Sequence, residues 1–387
     1  MNKNGKSLVF ITAIITAAVT FLATSAYYAY VLKSRSGVAF SGSEKIIETL
    51  NIIDKNFYYD IDKKKVVEKA VDSIMESLQE PYTTYMDQEE YKKFEQYING
   101  SYAGIGAVVL WDTEMKAVII ARPFEDSPAQ KAGLVKGDKI IKIDGQDLSD
   151  TDLDGAVARM KGEKGTNVVL TVIKIQTGET IDVNVIRDEI KIPSVDSEIR
   201  EGEIGYIAIS MFDIRTGDEF NEHLQKVLDN GAKGIILDLR DNGGGIVGSV
   251  TAVANQLLER GQMIFYTQDK QGNRQEHKSY GEGIDIPIVV LVNENTASAS
   301  ELLAGALRDN KGSVLVGKKT FGKGVVQMAY PLSDGSVIKL TIQKYFTPSG
   351  FDINNVGITP DYEVELVSDA DEQYQKAVEV INNIFKS

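Results

Sequence analysis

The sequence has no cysteine and only two histidines, His223 and His277, in 387 residues. Without thiols there is no disulfide framework, no thiolate zinc site and no cysteine nucleophile. With two imidazoles, a protein-held metal would need mostly carboxylate ligands, and a Ser-His-Asp triad would have to recruit one of the two. His223 stands in an expected helix beside Glu222, and His277 in the polar run 269–279, read as a solvated loop or hairpin. Neither has a catalytic neighbourhood along the chain. Positive charge is also in deficit: 42 Lys+Arg against 56 Asp+Glu leave a net charge of −14. That excludes a nucleic-acid binder working by phosphate neutralisation. What remains is a globular composition, 43% hydrophobic and 25% charged, with ample core for two or three domains.

One long uncharged run stands apart. Residues 8–32 lack any charge, follow Lys3 and Lys6, and precede Lys33 and Arg35. At ~1.5 Å per residue such a helix crosses a hydrocarbon core of ~30 Å. Tyr27, Tyr28 and Tyr30 lie where aromatic rings favour the interface. The expectation is an N-terminal membrane anchor or signal over 1–36. The competing reading is a secretory signal cleaved near Ala23–Ala26. Either way the rest of the chain is exported: membrane-anchored with the catalytic part extracytoplasmic, or secreted.

After a Gly/Ser linker, Ile46, Ile47, Leu50, Ile53 and Phe57, then Val66, Val67, Ala70, Val71, Ile74 and Leu78, recur at helical spacing. They predict two amphipathic helices within 44–98, a helical cap or dimerisation segment in a possible homo-oligomer, with no chemistry of its own. From 102 to 190 short β-rich runs alternate with glycine turns such as Lys136-Gly137-Asp138 and Asp144-Gly145, interrupted by short helices near 128–132 and 153–160. This predicts a small β-barrel module. From 191 to 387 apolar runs such as Ile235-Ile236-Leu237 and Val289-Val290-Leu291-Val292 alternate with helices. They read as strands buried on both faces of an α/β layered core, closed by a C-terminal helix.

Three stretches of that core could carry chemistry. Asn295-Thr296-Ala297-Ser298-Ala299-Ser300-Glu301 lies between a buried strand and a helix, where an elbow exposes a serine beside free N–H groups. The plain alternative is a capping box, Ser298-x-x-Glu301. Thr320-Phe321-Gly322-Lys323-Gly324-Val325-Val326-Gln327 sets a lysine between glycines at a strand start. Side chains four apart share a strand face, so Gln327 could orient the Lys323 amine. A desolvated lysine can act as base, although most lysines are surface cations. The stretch nearly spells a phosphate-binding loop, but Gly324 stands where Ser or Thr is required and a strand follows where a helix should. Asp238-Leu239-Arg240-Asp241-Asn242-Gly243-Gly244-Gly245 closes a buried strand, and its glycines let backbone approach a reacting atom or simply turn the chain.

These motifs, in this order, resemble the carboxy-terminal processing (tail-specific) peptidases, PDZ-containing Ser/Lys serine proteases. Within 102–190 the PDZ likeness rests on Gly104-Ile105-Gly106-Ala107, Ser127-Pro128-Ala129, Ala132-Gly133-Leu134, Gly137-Asp138 and Ile143-Asp144-Gly145, and Gly357-Ile358-Thr359-Pro360-Asp361 extends the match toward the end. The resemblance implies a crotonase/Clp-like core. It implies Ser298, 25 positions before Lys323, as nucleophile, Lys323 as base and Gln327 as its orienter. It further implies an oxyanion hole from the N–H groups of Gly244 and Ala299, and capture of a substrate's C-terminal carboxylate at Gly104, Ile105 and Gly106, without cofactor or metal. Thr296 stands where many relatives carry serine, and Gly243 where some carry proline, which loosens the choice of Gly244 over a neighbour. Arg159, at the end of the PDZ helix, could contact the core, but reads better as a solvated cation. The implied function is an endopeptidase acting on protein C-terminal tails. The alternatives are an inactive PDZ scaffold and an acyl-thioester enzyme on the same framework.

Overall fold

The computed structural model describes residues 42–200, 202–367 and 370–386. The expected anchor over 8–32 lies outside these residues, and no helix among the described residues is long and apolar enough to cross a membrane. The chain separates into two units, with the boundary between Lys69 and Ala70. In the first, helix Glu44–Asn56 buries none of its residues and exposes Ile46, Ile47 and Ile52. Helix Lys63–Glu76 begins after an ion pair between Lys63 and Asp54.

The core of the second unit is a six-stranded sheet ordered Val195–Arg200, Ile204–Ile209, Gly234–Asp238, Ile288–Val292, Val314–Gly317, Tyr362–Glu363. Only the first pairing is antiparallel. Every residue of Gly234–Asp238 and Ile288–Val292 is buried, because alternate side chains feed two different cores. Ile235, Leu237, Val290 and Val292 pack with helices Thr216–Asp229, Val247–Leu257 and Ala299–Lys311 through Phe220, Leu224, Val253 and Leu303. Ile236, Val289, Leu291 and Val316 pack on the other face with Tyr374, Ala377, Val380 and Ile381 of the C-terminal helix Glu372–Ile384.

A second, antiparallel sheet is built around the long strand Val337–Phe346, which pairs with Thr84–Met86, Val325–Pro331 and Met263–Asp269. His277 lies on strand Arg274–Lys278, which pairs with Met263–Asp269, its ring stacked 4.3 Å from Phe265; the polar run is thus a hairpin. Helix Gln88–Ile98, started by a full capping box between Asp87 and Glu90, follows the Thr84–Met86 strand.

The module between the two ends of this body has its own core, with Val118, Ile120, Leu134, Ile140, Leu148, Leu170 and Val185 fully buried. Its sheet runs Ala107–Asp112, Ala117–Pro123, Lys139–Ile143, Asn167–Ile173, Thr180–Ile186, and the outer two strands do not pair. The expected barrel is therefore an open sheet. The chain leaving Ile186 turns instead to pair Asp188–Lys191 with Ser101–Gly104 in a separate two-stranded stem. One guanidinium ties the two strands to the core where they leave the stem, beside the Ser101–Lys191 pair. Arg215 Nη2 donates to Gly100 O at 3.0 Å and Ile192 O at 2.8 Å, and is paired with the buried Asp213 at 2.6 Å. Arg159 bonds within the module to Asp150 and Asp147 O, as a helix-terminal cation should.

Asp138 is fully buried in this module, accepting from Val135 N and Ile175 N at 3.0 Å each and paired with Lys174. Burial pushes its carboxyl up, but Lys174 and the two amides hold it below the ordinary value. A depressed folded-state value contributes stability above the unfolded carboxylate range, lost as pH falls through it. Asp138→Ala should cost about 3–5 kcal/mol at neutral pH. Thermal unfolding of both proteins across pH should show the difference narrowing toward acid.

Candidate active site

Adjacent parallel strands Gly234–Asp238 and Ile288–Val292 end side by side, and the loops leaving their carboxyl ends form the site, where open α/β sheets place ligands. The two loops are strapped together. Thr296 Oγ1 donates to Leu239 O at 2.8 Å, Ala297 N to Asn242 O at 3.0 Å, and Ser300 Oγ to Asn242 O at 3.0 Å. Asn242, fully buried, anchors its end through Nδ2 to Ile209 O at 2.8 Å.

Ser298 caps the helix Ala299–Lys311 with φ 57 and ψ −117, a backbone conformation that a side chain rarely adopts. The serine, 9% exposed, stands at a sharp strand-to-helix elbow. Gly244 meets this elbow so closely that a Cβ there would lie 2.9 Å from Ser298 Cβ and 3.0 Å from Ala299 N, and its φ is +98. Only glycine fits. Ala299 N–H, in the first turn of the helix, makes no hydrogen bond among the described residues. Gly244 N–H does: it donates to Asn242 Oδ1 at 2.9 Å.

Glu301 joins the elbow to the lysine segment. Its carboxylate, fully buried, accepts from Ser298 N at 2.8 Å and Lys323 N at 2.9 Å on one oxygen, and from Thr320 Oγ1 at 2.6 Å and Gly322 N at 2.8 Å on the other. Burial pushes this carboxyl up while the four donors pull it back. The capping-box reading of Ser298-x-x-Glu301 is right for the Glu301 arm, and incomplete, because three of the four donors come from 320–323. The glycines flanking Lys323 answer a second contact. A Cβ on Gly322 would lie 2.9 Å from Gly357 N, and one on Gly324 2.4 Å from Asn354 N.

Lys323 is half-buried, its Nζ 4.7 Å above the centre of the Tyr82 ring. Burial lowers its amine below the ordinary lysine value, and the positive charge of Lys339 lowers it further, opposed by Glu80 and Glu301. Gln327 is not on the amine. Its Nε2 donates to Val325 O at 3.2 Å and Thr341 Oγ1 at 3.3 Å. The i,i+4 expectation fails locally because the strand begins only at Val325 and carries a bulge between Val326 and Gln327, which breaks the alternation of faces.

In the module, Ile105 O accepts Ala129 N at 2.7 Å and Gly106 O accepts Phe124 N at 3.0 Å, while the N–H groups of Ile105 and Gly106 make no hydrogen bond among the described residues. Gly106, at φ +76, has Ser127 Cβ and Ile190 Cδ1 where a side chain would go. Gly104 closes the stem strand opposite Asp188. The histidines stand elsewhere in the bonding pattern, His223 Nδ1 at 2.7 Å from Ser197 Oγ and His277 on Phe265. No group of side chains able to hold a metal occurs among the described residues.

The layered core that carries this elbow and the PDZ-like module have counterparts among known proteins. The model of peptidase family S41 matches residues 203–364, that of the PDZ domain 119–174, and that of the activating protease CtpB N-terminal domain 19–90. The carboxy-terminal processing protease CtpA of Bacillus subtilis (strain 168) is 36% identical over 95% of this chain and 80% of its own. The carboxyl-terminal-processing protease of Synechocystis sp. is 38% identical over 81% of this chain and 76% of its own. The chain belongs to the S41 carboxy-terminal processing proteases. Among solved structures, a photosystem II D1 C-terminal processing protease matches with a TM-score of 0.52 and 29% identity over 87% of this chain and 90% of its own. The protein is thus a mixed α/β serine endopeptidase of the C-terminal processing class, with a PDZ domain that binds protein substrate.

Glu301→Gln keeps size but replaces one acceptor oxygen with an N–H2 facing donors, leaving buried N–H groups unpaired. Purified variant and wild type should differ in melting temperature and by about tenfold or more in turnover of a tail peptide. Wild-type values for both would remove Glu301 as the organiser of this site.

Proposed function

We propose that Ser298 is the nucleophile and Lys323 its general base in cleavage of protein C-terminal tails. The observation that carries this reading is that a single oxygen of Glu301 accepts the amides of both residues, which brings their backbones together. Neutral Lys323 Nζ takes the Ser298 hydroxyl proton as Oγ bonds to the scissile carbonyl carbon. The negative charge on the carbonyl oxygen meets Ala299 N–H, at the positive end of the helix, and Gly244 N–H once Asn242 Oδ1 releases it. Collapse breaks the C–N bond, and Lys323 returns its proton to the leaving amine. Water, deprotonated by Lys323 Nζ, then attacks the acyl carbon, and Lys323 returns the proton to Ser298 Oγ as the ester C–O bond breaks. Gln327 acts at one remove, through Thr341, in orienting the strand beside the amine. The chemistry uses no cofactor.

The tail enters extended, its carboxylate on the unbonded N–H groups of Ile105 and Gly106 with Gly104 at the loop's start, and its apolar side chains along the PDZ groove. The domains are read as 44–98, 102–190 and a crotonase-like core over 191–387. Residues 8–32 hold the enzyme to a membrane with its catalytic part outside the cytoplasm, so the substrates are extracytoplasmic or membrane-associated proteins. The exposed apolar positions of helix Glu44–Asn56 suit contact between copies in a homo-oligomer.

A casein or tail-peptide digest tests this directly. Ser298→Ala and Lys323→Ala should each lose about a thousandfold or more in turnover. Inactive wild type would point to a PDZ scaffold, and active variants would remove the assignment. Amidating the peptide's C-terminus should raise KM about tenfold, as expected for loss of a charge-assisted contact; an unchanged KM would remove carboxylate capture.

The pH dependence has a definite sign. Only the neutral amine accepts a proton, so kcat/KM should rise with pH through a value below that of an ordinary lysine. Lys339→Met, which removes a positive neighbour, should move that rise toward alkaline pH.

A further inference from the structure

The segment between the N-terminal helices and helix Gln88–Ile98 reads in sequence as part of a helical cap without chemistry, yet it forms a wall of the active site. Strand Thr84–Met86 pairs with Val337–Phe346, Thr84 opposite Lys339. Just before it, Thr83 Oγ1 accepts Thr341 N at 3.2 Å, and Glu80 Oε2 accepts Thr341 Oγ1 at 2.8 Å, the same hydroxyl that Gln327 Nε2 reaches. Glu80 Oε1 also accepts Tyr82 N at 3.3 Å. Tyr82 is thereby held on both sides, with its ring face under Lys323 Nζ. Among the described residues that amine has no hydrogen bond and no ion pair, so the ring is its nearest specific partner.

An aromatic face attracts an ammonium through its quadrupole and has no such attraction for a neutral amine. We propose that Tyr82 is a positioning residue for the general base: its ring holds the Lys323 ammonium in the resting enzyme and releases the amine to Ser298 once it loses its proton. The proposal rests on the reading of Lys323 as base. The charged and titratable groups facing the amine are Lys339 on the long strand, Glu80 and Tyr82 on this segment, and Glu301 on the elbow helix. Of these only the ring of Tyr82 contacts the amine without carrying charge at neutral pH.

The experiment is the pH profile of kcat/KM for a tail peptide, using the full chain and Tyr82→Phe, Tyr82→Leu and Tyr82→Trp. Tyr82→Leu keeps apolar cover but removes the quadrupole, and should move the rising limb about half to one pH unit toward acid. Tyr82→Phe should keep the limb where wild type has it, and Tyr82→Trp, with the strongest quadrupole, should move it toward alkaline pH. A Tyr82→Leu limb that stays or moves alkaline, or a Tyr82→Phe limb displaced as far as that of Tyr82→Leu, overturns the proposal. Should Tyr82→Leu fail to fold, the Phe and Trp variants decide it, since coincident limbs would overturn it. Lys323→Ala separates the two readings: turnover retained there removes the base itself, whereas turnover lost there with unmoved Tyr82 limbs removes only the role of the ring.

Discussion

The buried carboxylate of Glu301 is the constraint on which the site depends. A charge inside a protein is tolerated only when its oxygens are filled by donors, and here the donors come from two segments far apart in sequence, the amide of Ser298 and a set drawn from Thr320, Gly322 and Lys323. The need to satisfy one anion therefore draws the serine elbow and the lysine segment together. The same anion lies near the lysine amine and favours its charged form, which burial and Lys339 oppose. The arrangement couples a structural requirement to the protonation state of the Lys323 amine.

Around that carboxylate the backbone is packed closer than side chains allow. Gly244 abuts Ser298 and Ala299, and Gly322 and Gly324 admit the 354–357 turn. These glycines do different work from those in the surface turns: each marks a place where one loop supports another. Phe212 extends the support outward, its N donating to Gly244 O at 2.9 Å and its O accepting Ile246 N at 2.7 Å, beside the Asp213–Arg215 pair that holds both strands of the PDZ stem at its core end. The substrate-binding domain and the glycine loop thus share a short bonded path through the core.

Much of the architecture was legible along the chain. The doubly apolar runs predicted strands buried on both faces, and Gly234–Asp238 and Ile288–Val292 are such strands. The glycine turns and short β runs of 102–190 predicted a separate β module, though not that its sheet stays open, since strand closure depends on which partner the chain meets after Ile186. Strand Thr84–Met86 gave no signal of its own, three residues being too short for any periodicity. The hydrogen bonds of Gln327 to Val325 O and Thr341 were hidden for a similar reason: a bulge is a pairing event between two strands, and periodicity in one of them cannot foresee it.

What residue identity alone determined is chemical kind. The absence of cysteine and the isolation of both histidines narrowed the candidate chemistry, and the order of motifs carried the family. What tertiary structure decided is adjacency. Glu301 became a hub as well as a cap, Asn242 took the N–H of Gly244, and Tyr82 came to lie under the amine. Such contacts arise between segments tens to hundreds of residues apart, where only the packing of sheets and the satisfaction of buried polar groups, neither written in local spacing, select one neighbour over another.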